Sequence, residues 1–399
     1  MIDTLERTVT KPALDVCAAL QDAGYEAYVV GGCVRDALLG RDVNDWDVTT
    51  DALPEQVQKV FRRTIPTGIQ HGTVTVLIGR EHIEVTTFRG EGAYTDARRP
   101  DSVTFGVPLR EDLARRDFVI NAMAYDPRRK RLVDPFGGQA DLEAGVLRAV
   151  GEASERFTED GLRIMRAVRF VATLELVLDA DTEAAIPAAL PSLAKVSAER
   201  VRDELLGLLG AREPTRGLVV AERTGVLDLV LPERTAPLAV VDAMRPDPIA
   251  RLAALVSGLD RAGAAAVGRR LKLSNLERER VAHLVGEHRV DYAATWTDAD
   301  VRRWVAAAKR EHVADILDVR AAVAEEVAEL RARAAAVIDR KDPLYANELA
   351  VTGQDVIATL GIAPGPEVGR ILGELLEVVL EEPAANTRDG LLGRLSGET

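Results

Sequence analysis

The stretch that most constrains this chain runs from Val29 to Asp51 and reads VVGGCVRDALLGRDVNDWDVTTD. It opens as an apolar strand (Tyr28, Val29, Val30) and turns on Gly31-Gly32. A short helix is expected over Val34–Leu39, with Gly40 placed to end it. An extended segment carrying Asp45 and Asp47 follows. Residues two apart on a strand point to the same side, so these carboxylates face one point in space. A glycine turn feeding a helix N-terminus, then two convergent carboxylates, suits a phosphate tail and the metal ions escorting it.

A chain of 399 residues is expected to form two to four domains. Only 4% of its residues are aromatic, and Ala, Leu, Glu and Arg abound, which points to a large helical share. The net charge of −13 argues against a generic basic nucleic-acid binder, although arginines cluster between Arg110 and Arg131. Cys17 and Cys33 are the only cysteines, too few for a disulfide framework or a cysteine zinc site. The N-terminal MIDTLERTVTKP lacks an apolar signal core, and no apolar run reaches the ~18 residues a membrane span needs. A cytoplasmic protein with no membrane partner is expected.

Strand signals are confined to the first third of the chain. Residues 10–24 read as an amphipathic helix, and Pro54–Arg63 as a helix with proline in its first turn. Thr73–Ile78 and His82–Phe88 are β-rich and flank Gly79-Arg80, which predicts a hairpin. Glu84 is a lone carboxylate between Ile83 and Val85. Arg89–Ser102 reads as a polar mobile loop, and Glu111–Tyr125 as a helix with Phe118, Ala122 and Tyr125 at helical spacing. From Leu142 onward the periodic segments are helical: Glu159–Leu174, Ala198–Leu209, Arg216–Leu229, Pro248–Val256, a stripe from Ile316 to Val337 read as an antiparallel helix pair, and Arg370–Glu382 after a Gly365–Gly369 turn.

The chemistry gathers first at Gly31, Gly32, Asp45, Asp47 and Glu84. Each part has a bland alternative, a tight turn for Gly-Gly and a solvated edge for Asp-X-Asp. Together, two carboxylates on one strand face and a third on a neighbouring strand are what two divalent ions ~4 Å apart require. Here five ordered blocks, GGCVRDALLGRDVNDWDV, EVTTFR, DLARRDFVINAMAYD, DPFGGQADL and FTEDGLRIMRAVRF, resemble the bacterial class II tRNA nucleotidyltransferases, the CCA-adding enzymes. They share a polymerase-β-like head with bacterial poly(A) polymerases.

The resemblance implies an α+β chain. Its nucleotidyltransferase head, a small mixed sheet with helices, is followed by an all-helical neck, body and tail. Expected boundaries are 1–145 for the head, 146–205 for the neck with its base-reading motif, 206–275 for the body and 276–399 for a tRNA-binding tail. It implies catalysis at Asp45, Asp47 and Glu84, with Asp45 and Asp47 holding two Mg²⁺ ions, Mn²⁺ being the alternative. It implies nucleotide binding by Gly31, Gly32, Arg35, Arg116, Asp160, Arg163, Arg166 and Arg169. The partners would be CTP, ATP and the tRNA acceptor arm, with no DNA.

Asp160 and Arg163 are the implied base readers. A carboxylate accepts from the amino group of cytosine or adenine, and a guanidinium donates to the adjacent ring acceptor. Uracil and guanine place a carbonyl where that amino group belongs. By themselves, Glu159 and Arg163 would be an ordinary i,i+4 pair, and Arg163, Arg166 and Arg169 one basic helix side. Gly161 stands where relatives often have Pro or Ala, and is expected to loosen the turn. The 89–102 loop resembles the element that CC-only enzymes lack, which favours full CCA synthesis. Rival activities on the same head are poly(A) synthesis, or addition of CC or A alone. The five histidines, none followed by Asp, exclude the His-Asp phosphohydrolase domain of some relatives.

Overall fold

The computed structural model describes residues 2–91, 103–323 and 327–397. The chain divides into two compact units, Met1–Pro232 and Glu233–Thr399. Within the first, seven strands form one sheet: β1 (Ala27–Val30), β2 (Asp47–Thr50), β3 (Thr64–Gly68), β4 (Thr73–Ile78), β5 (Glu81–Thr87), β8 (Ala124–Asp126) and β9 (Arg131–Val133). Two short strands, β6 (Arg89–Glu91) and β7 (Val103–Phe105), pair separately. The spatial order is β3-β4-β5-β2-β1-β8-β9, and every pairing is antiparallel except β2 with β5.

Burial explains the order. All four residues of β1 are buried, as befits a strand with neighbours on both edges and cover on its faces. Helix Lys11–Asp22 carries Pro12 in its first turn and buries Ala13, Val16, Cys17 and Leu20, a stripe at i, i+3, i+4 and i+7. Tyr28, Val30, Phe88, Leu113, Val119, Ala122 and Ala124 form a core that joins the sheet to the segment following it. Both cysteines are free and buried.

Most expected elements appear within one to three residues of their bounds, with instructive exceptions. The expected helix Glu111–Tyr125 is only Leu109–Ala114; a 3₁₀ turn, Val119–Asn121, and strand β8 follow. Residues 117–126 are buried throughout, so their apolar spacing reports burial on all sides, not a helical face. The expected helix Glu159–Leu174 is two, Ala153–Glu159 and Leu162–Thr173, broken at Asp160-Gly161. Arg216–Leu229 is likewise split at Gly225, whose φ is +79°. Val146–Leu147 and Val177–Leu178 make a two-residue parallel pairing that the composition beyond residue 142 hid.

The expected turn at Gly365–Gly369 is already helix, since Pro366–Glu381 starts at the proline. Of the 89–102 loop, Arg89–Glu91 pairs as β6, and residues 92–102, on which the expectation of full CCA synthesis also rests, lie outside the described residues. The stripe from Ile316 to Val337 falls on helices Val313–Val323 and Ala328–Asp339.

In the second unit, reciprocal caps start three helices. Ser274 with Glu277, Thr297 with Asp300 and Thr352 with Asp355 each satisfy two orphan amides. Buried Arg302 closes the C-terminal end of Pro366–Glu381 by donating to the carbonyls of Leu380 and Glu381, at 2.6 and 2.9 Å. Val351, Val356, Ile371, Leu375, Val379 and Leu391 form a small separate core.

Gly161, at the break between two helices, also has a packing role. A Cβ there would lie 2.3–2.4 Å from the backbone of Ser192 and Leu193, so the absent side chain lets two helices touch. Gly161→Ala is expected to cost about 1–3 kcal/mol through this overlap. A urea titration checks it, and an unchanged midpoint would refute the close-packing role.

Candidate functional site

The parallel register of β2 on β5 sets Asp47 directly opposite Glu84. Asp45 lies just before β2, in irregular chain, and lines the same cavity of about 530 Å³ as Asp47 and Glu84. The two aspartates thus open on one space, although only Asp47 is on the strand. Burial, Glu84 and Asp45 push the Asp47 carboxyl up to about 6, against the opposing pull of Arg116. This is a carboxylate cluster short of positive charge.

Arg116 supplies part of that charge. Its Nη1 lies 2.6 Å from where a Cβ on Gly31 would stand, and Gly31 has φ +89°. Glycine is required there twice, by backbone conformation and by the guanidinium against it. The Gly31 amide is already engaged, donating to the Met123 carbonyl at 3.2 Å, so Gly31 serves Arg116 rather than a phosphate directly. Burial lowers the pKa of Arg116, opposed by Asp112 and, less strongly, by Asp47 and Asp117. The buried Nε of Arg116 has no hydrogen-bond partner among the described residues.

Arg116 lies just beyond the short helix Leu109–Ala114, not inside a long one. Arg115 instead pairs with fully buried Asp112 at 2.9 Å. Asp112 also accepts from the Thr49 hydroxyl and the Arg89 amide, both at 3.3 Å.

Asp117 ties the sheet to the helices that follow. It accepts from the Phe118 amide (2.8 Å), from the Asn121 side-chain amide (2.9 Å) and from Arg166 Nε (2.7 Å). Burial alone would raise its carboxyl, but Arg166, Asn121 and Phe118 outweigh it and hold it down at about 2. Asn121 also accepts from Arg35 Nη1 at 2.6 Å, and Arg35 pairs with Asp36. Glu204 accepts from Arg169 Nε at 2.5 Å and approaches Arg166 at 3.9 Å. Arg35, Arg166 and Arg169 surround the Phe170 ring with guanidinium carbons 5.1, 5.2 and 4.4 Å from its centroid. The expected basic helix side is therefore a lattice of paired arginines.

The two base-reading candidates are held by different partners. Asp160 pairs with Arg200 at 2.8 Å and accepts from the Leu162 amide at 3.0 Å. Arg163, 8% exposed, donates to Glu159 at 2.7 Å and to the Arg115 carbonyl at 2.9 Å. The helix break at Asp160 does not prevent the Glu159–Arg163 pair. Arg200 and Glu204 escaped the sequence reading, because partners 40 and 35 positions away leave no local spacing to detect; Asp112 escaped it although Arg115 stands three positions on. Gly32 starts the helix Gly32–Leu38, and Arg35 lies beneath it. His71 engages Arg89 through its backbone carbonyl, as suits a loop residue.

Divalent cations fit this donor set. Asp45 and Asp47 offer hard carboxylate oxygens of the type Mg²⁺ prefers, and few protein ligands suffice where phosphates complete the shell. Among the described residues no group of three or more His, Cys, Asp or Glu side chains converges as a metal cage. No helix of the described residues is long and apolar enough to cross a membrane.

Three family descriptions match the chain: "Poly A polymerase head domain" over residues 27–148, "Probable RNA and SrmB- binding site of polymerase A" over 154–237, and tRNA nucleotidyltransferase domain 2 over 249–395. The CCA-adding enzyme of Lactiplantibacillus plantarum is 38% identical over 405 residues, covering 97% of this chain and 95% of the relative. A crystal structure of the Bacillus stearothermophilus CCA-adding enzyme in complex with CTP superposes with a TM-score of 0.80 at 34% identity, covering 98% of both chains. The Thermotoga maritima CCA-adding enzyme complexed with tRNA shares the fold, with a TM-score of 0.72 at 20% identity over 99% of this chain and 98% of that one.

The raised Asp47 carboxyl gives a pH prediction independent of turnover. A folded-state pKa near 6 against 3.8 for the free group means that stability falls as pH rises through 3.8 to 6. Asp47→Asn removes this cost and, without divalent cations, is expected to stabilise the protein above pH 6 by on the order of 2 kcal/mol. Added Mg²⁺ should then stabilise the parent and not the variant. Denaturant titrations at pH 5 and 8 check this, and a variant less stable at pH 8 would contradict it.

Proposed function

This chain belongs to the bacterial class II tRNA nucleotidyltransferases, the CCA-adding enzymes, and we propose how its residues divide that work. It adds C, C and A to the 3′ end of tRNA from CTP and ATP without a template, releasing pyrophosphate. The observation that carries the reading is the register of Asp47 on Glu84 beside Arg116, on a chain matched nearly end to end by CCA-adding relatives. That same end-to-end match favours CCA addition over poly(A) synthesis.

Enzymes of this family use divalent metal ions, and we assign two Mg²⁺ ions, or Mn²⁺, to Asp45 and Asp47. When bound, the ions neutralise the departing pyrophosphate and acidify the attacking hydroxyl. In the reaction the 3′ oxygen bonds to the α-phosphorus as the bond to the pyrophosphate oxygen breaks, and the hydroxyl proton is lost. Glu84, opposite Asp47, orients that hydroxyl by accepting its hydrogen bond. Arg116, with its unmatched Nε, takes the sugar or a phosphate of the incoming nucleotide. Gly31 keeps the way open for that guanidinium, and Gly32 begins the helix beside it.

Asp160 and Arg163 select C and A. Arg200 holds Asp160, and Glu159 holds Arg163, so both readers are preset for the amino edge and the neighbouring ring nitrogen. Arg35, Arg166 and Arg169, each bound to a carboxylate, brace this wall and contribute positive potential toward the triphosphate. We divide the chain into head 1–145, neck 146–205, body 206–275 and tail 276–399; the change of family match between residues 148 and 154 supports the first border, while the matches over 154–237 and 249–395 run across the other two. The later helices hold the tRNA acceptor arm by shape and phosphate contacts, since every tRNA must be accepted. Two buried free thiols suit a reducing cytoplasm.

Incubating the protein with tRNA lacking CCA, with CTP and ATP separately and together, and sequencing the 3′ ends tests the activity. Ends in CC with CTP alone and CCA with both are expected. In the same assay Asp47→Ala should abolish incorporation, by at least about a thousandfold, while tRNA binding stays intact. Sustained turnover would refute the metal assignment. Asp160→Ala should relax exclusion of UTP and GTP in a competition assay by about tenfold or more; an unchanged preference would remove Asp160 from base reading.

A further inference from the structure

Arg115 is held at both ends. Its backbone carbonyl accepts from Nη2 of Arg163 at 2.9 Å. Its guanidinium forks onto Asp112, through Nε at 3.0 Å and Nη2 at 2.9 Å. The preceding carbonyl, that of Ala114, accepts from Arg156 at 3.3 Å, and Arg156 shares the Glu159 carboxylate with Arg163. Two arginines of the later helices thus rest on consecutive carbonyls at the end of helix Leu109–Ala114.

Asp112 fastens the other end of this strut to the sheet. It accepts from the Thr49 hydroxyl and the Arg89 amide, each at 3.3 Å. Thr49 stands two residues beyond Asp47 on β2, and Thr86, opposite it, two beyond Glu84 on β5. Residues two apart on a strand share a face, so Asp112 grips the sheet one step behind the carboxylate pair. The Thr49 hydroxyl also lies 3.1 Å from the Thr86 carbonyl, which draws both strands to this point.

An aspartate and arginine three apart on a helix ordinarily stand on a solvated surface and stabilise little. This pair is inside the protein: the Arg115 side chain is 16% exposed and that of Asp112 not at all. A carboxylate withdrawn from water is costly unless charge and hydrogen bonds replace the solvent. Asp112 reaches no surface, so it touches no nucleotide, and it acts only through the groups it holds. Arg116, next in the chain, is one of them, since Asp112 is the strongest of the charges that offset its burial.

We propose that Asp112 is a positioning residue for base selection, holding Arg115 so that its carbonyl sets Arg163 in fixed relation to Asp47 and Glu84. The proposal rests on the reading of Arg163 as a base reader and adds what ties that reader to the carboxylates. Selection needs the base edge and the reacting phosphate to be in register together. With the strut loosened, Arg163 drifts relative to the strands, and a base with a carbonyl in the wrong place is accepted more readily.

The test uses the full chain carrying Asp112→Asn, which keeps the size of the side chain and removes its charge. With tRNA lacking CCA, kcat/KM is measured for CTP and for UTP. Their ratio is the readout, because a smaller folded fraction lowers both equally and leaves the ratio alone. The CTP-to-UTP ratio is expected to fall about tenfold. Arg115→Met, which keeps the apolar stem of the arginine, should lower it to the same extent and carries the test if Asp112→Asn does not fold. The double variant should lower it no further than either single one. An unchanged ratio in either folded single variant, or losses that multiply in the double, would overturn the proposal. Arg163→Ala is the control for the underlying reading. A ratio unchanged there removes Arg163 from base selection and the proposal with it, whereas a ratio relaxed by Arg163→Ala alone removes only the role of Asp112.

Discussion

The active region depends on one parallel pairing in an otherwise antiparallel sheet. Strand β2 lies beside β5 in the register that opposes Asp47 and Glu84. Because side chains alternate, a slip of one residue would bury Glu84 in the core and turn Val85 toward the carboxylates. Val48, Ile83 and Val85 prevent the slip, since each is at most 1% exposed and would be driven to the other face. The core therefore fixes the spacing of the acidic groups, and the acidic groups carry the electrostatic cost. That cost appears as the raised carboxyl of Asp47, and binding of divalent cations would relieve it.

A second arrangement sets charge on the other side of Asp47. Arg116 packs on Gly31, and its neighbour Asp117 binds Arg166 of the following helix. From there the network continues to Glu204 and Arg169, and through Asn121 to Arg35. Arg35, Arg166 and Arg169 are each paired with a carboxylate, and all three have fixed positions around Phe170. Fixed charges need little reorganisation when a polyanion arrives, which makes such a wall more effective than loose surface arginines. The same design recurs at Asp160 and Arg163, the proposed base readers, each immobilised by a salt-bridge partner.

Local pattern was a good guide wherever one face of an element is buried. Strands β4 and β5, with their glycine turn, and helix Ala198–Leu209 were legible because alternation or helical spacing reports a half-buried element. It misled over residues 117–126, where burial on all sides lets a turn and strand resemble a helix. It also missed the break at Asp160-Gly161, where the Asp160 carboxylate accepts from the Leu162 amide and the backbone of Ser192 and Leu193 packs against Gly161.

The sequence by itself determined the chemical inventory: a glycine turn, two aspartates two apart, a third carboxylate on a β-strand, and an ordered set of arginine-bearing blocks that identifies the family. These are local facts, carried by residue type and short spacing. Only the tertiary structure decided which groups face one another. Opposition of Asp47 to Glu84, the seat of Arg116 on Gly31 and the grip of Arg200 on Asp160 all join residues far apart in the chain. Such pairings are set by strand register and helix packing, which minimise exposed apolar area over the whole unit, and no short window of sequence contains that sum.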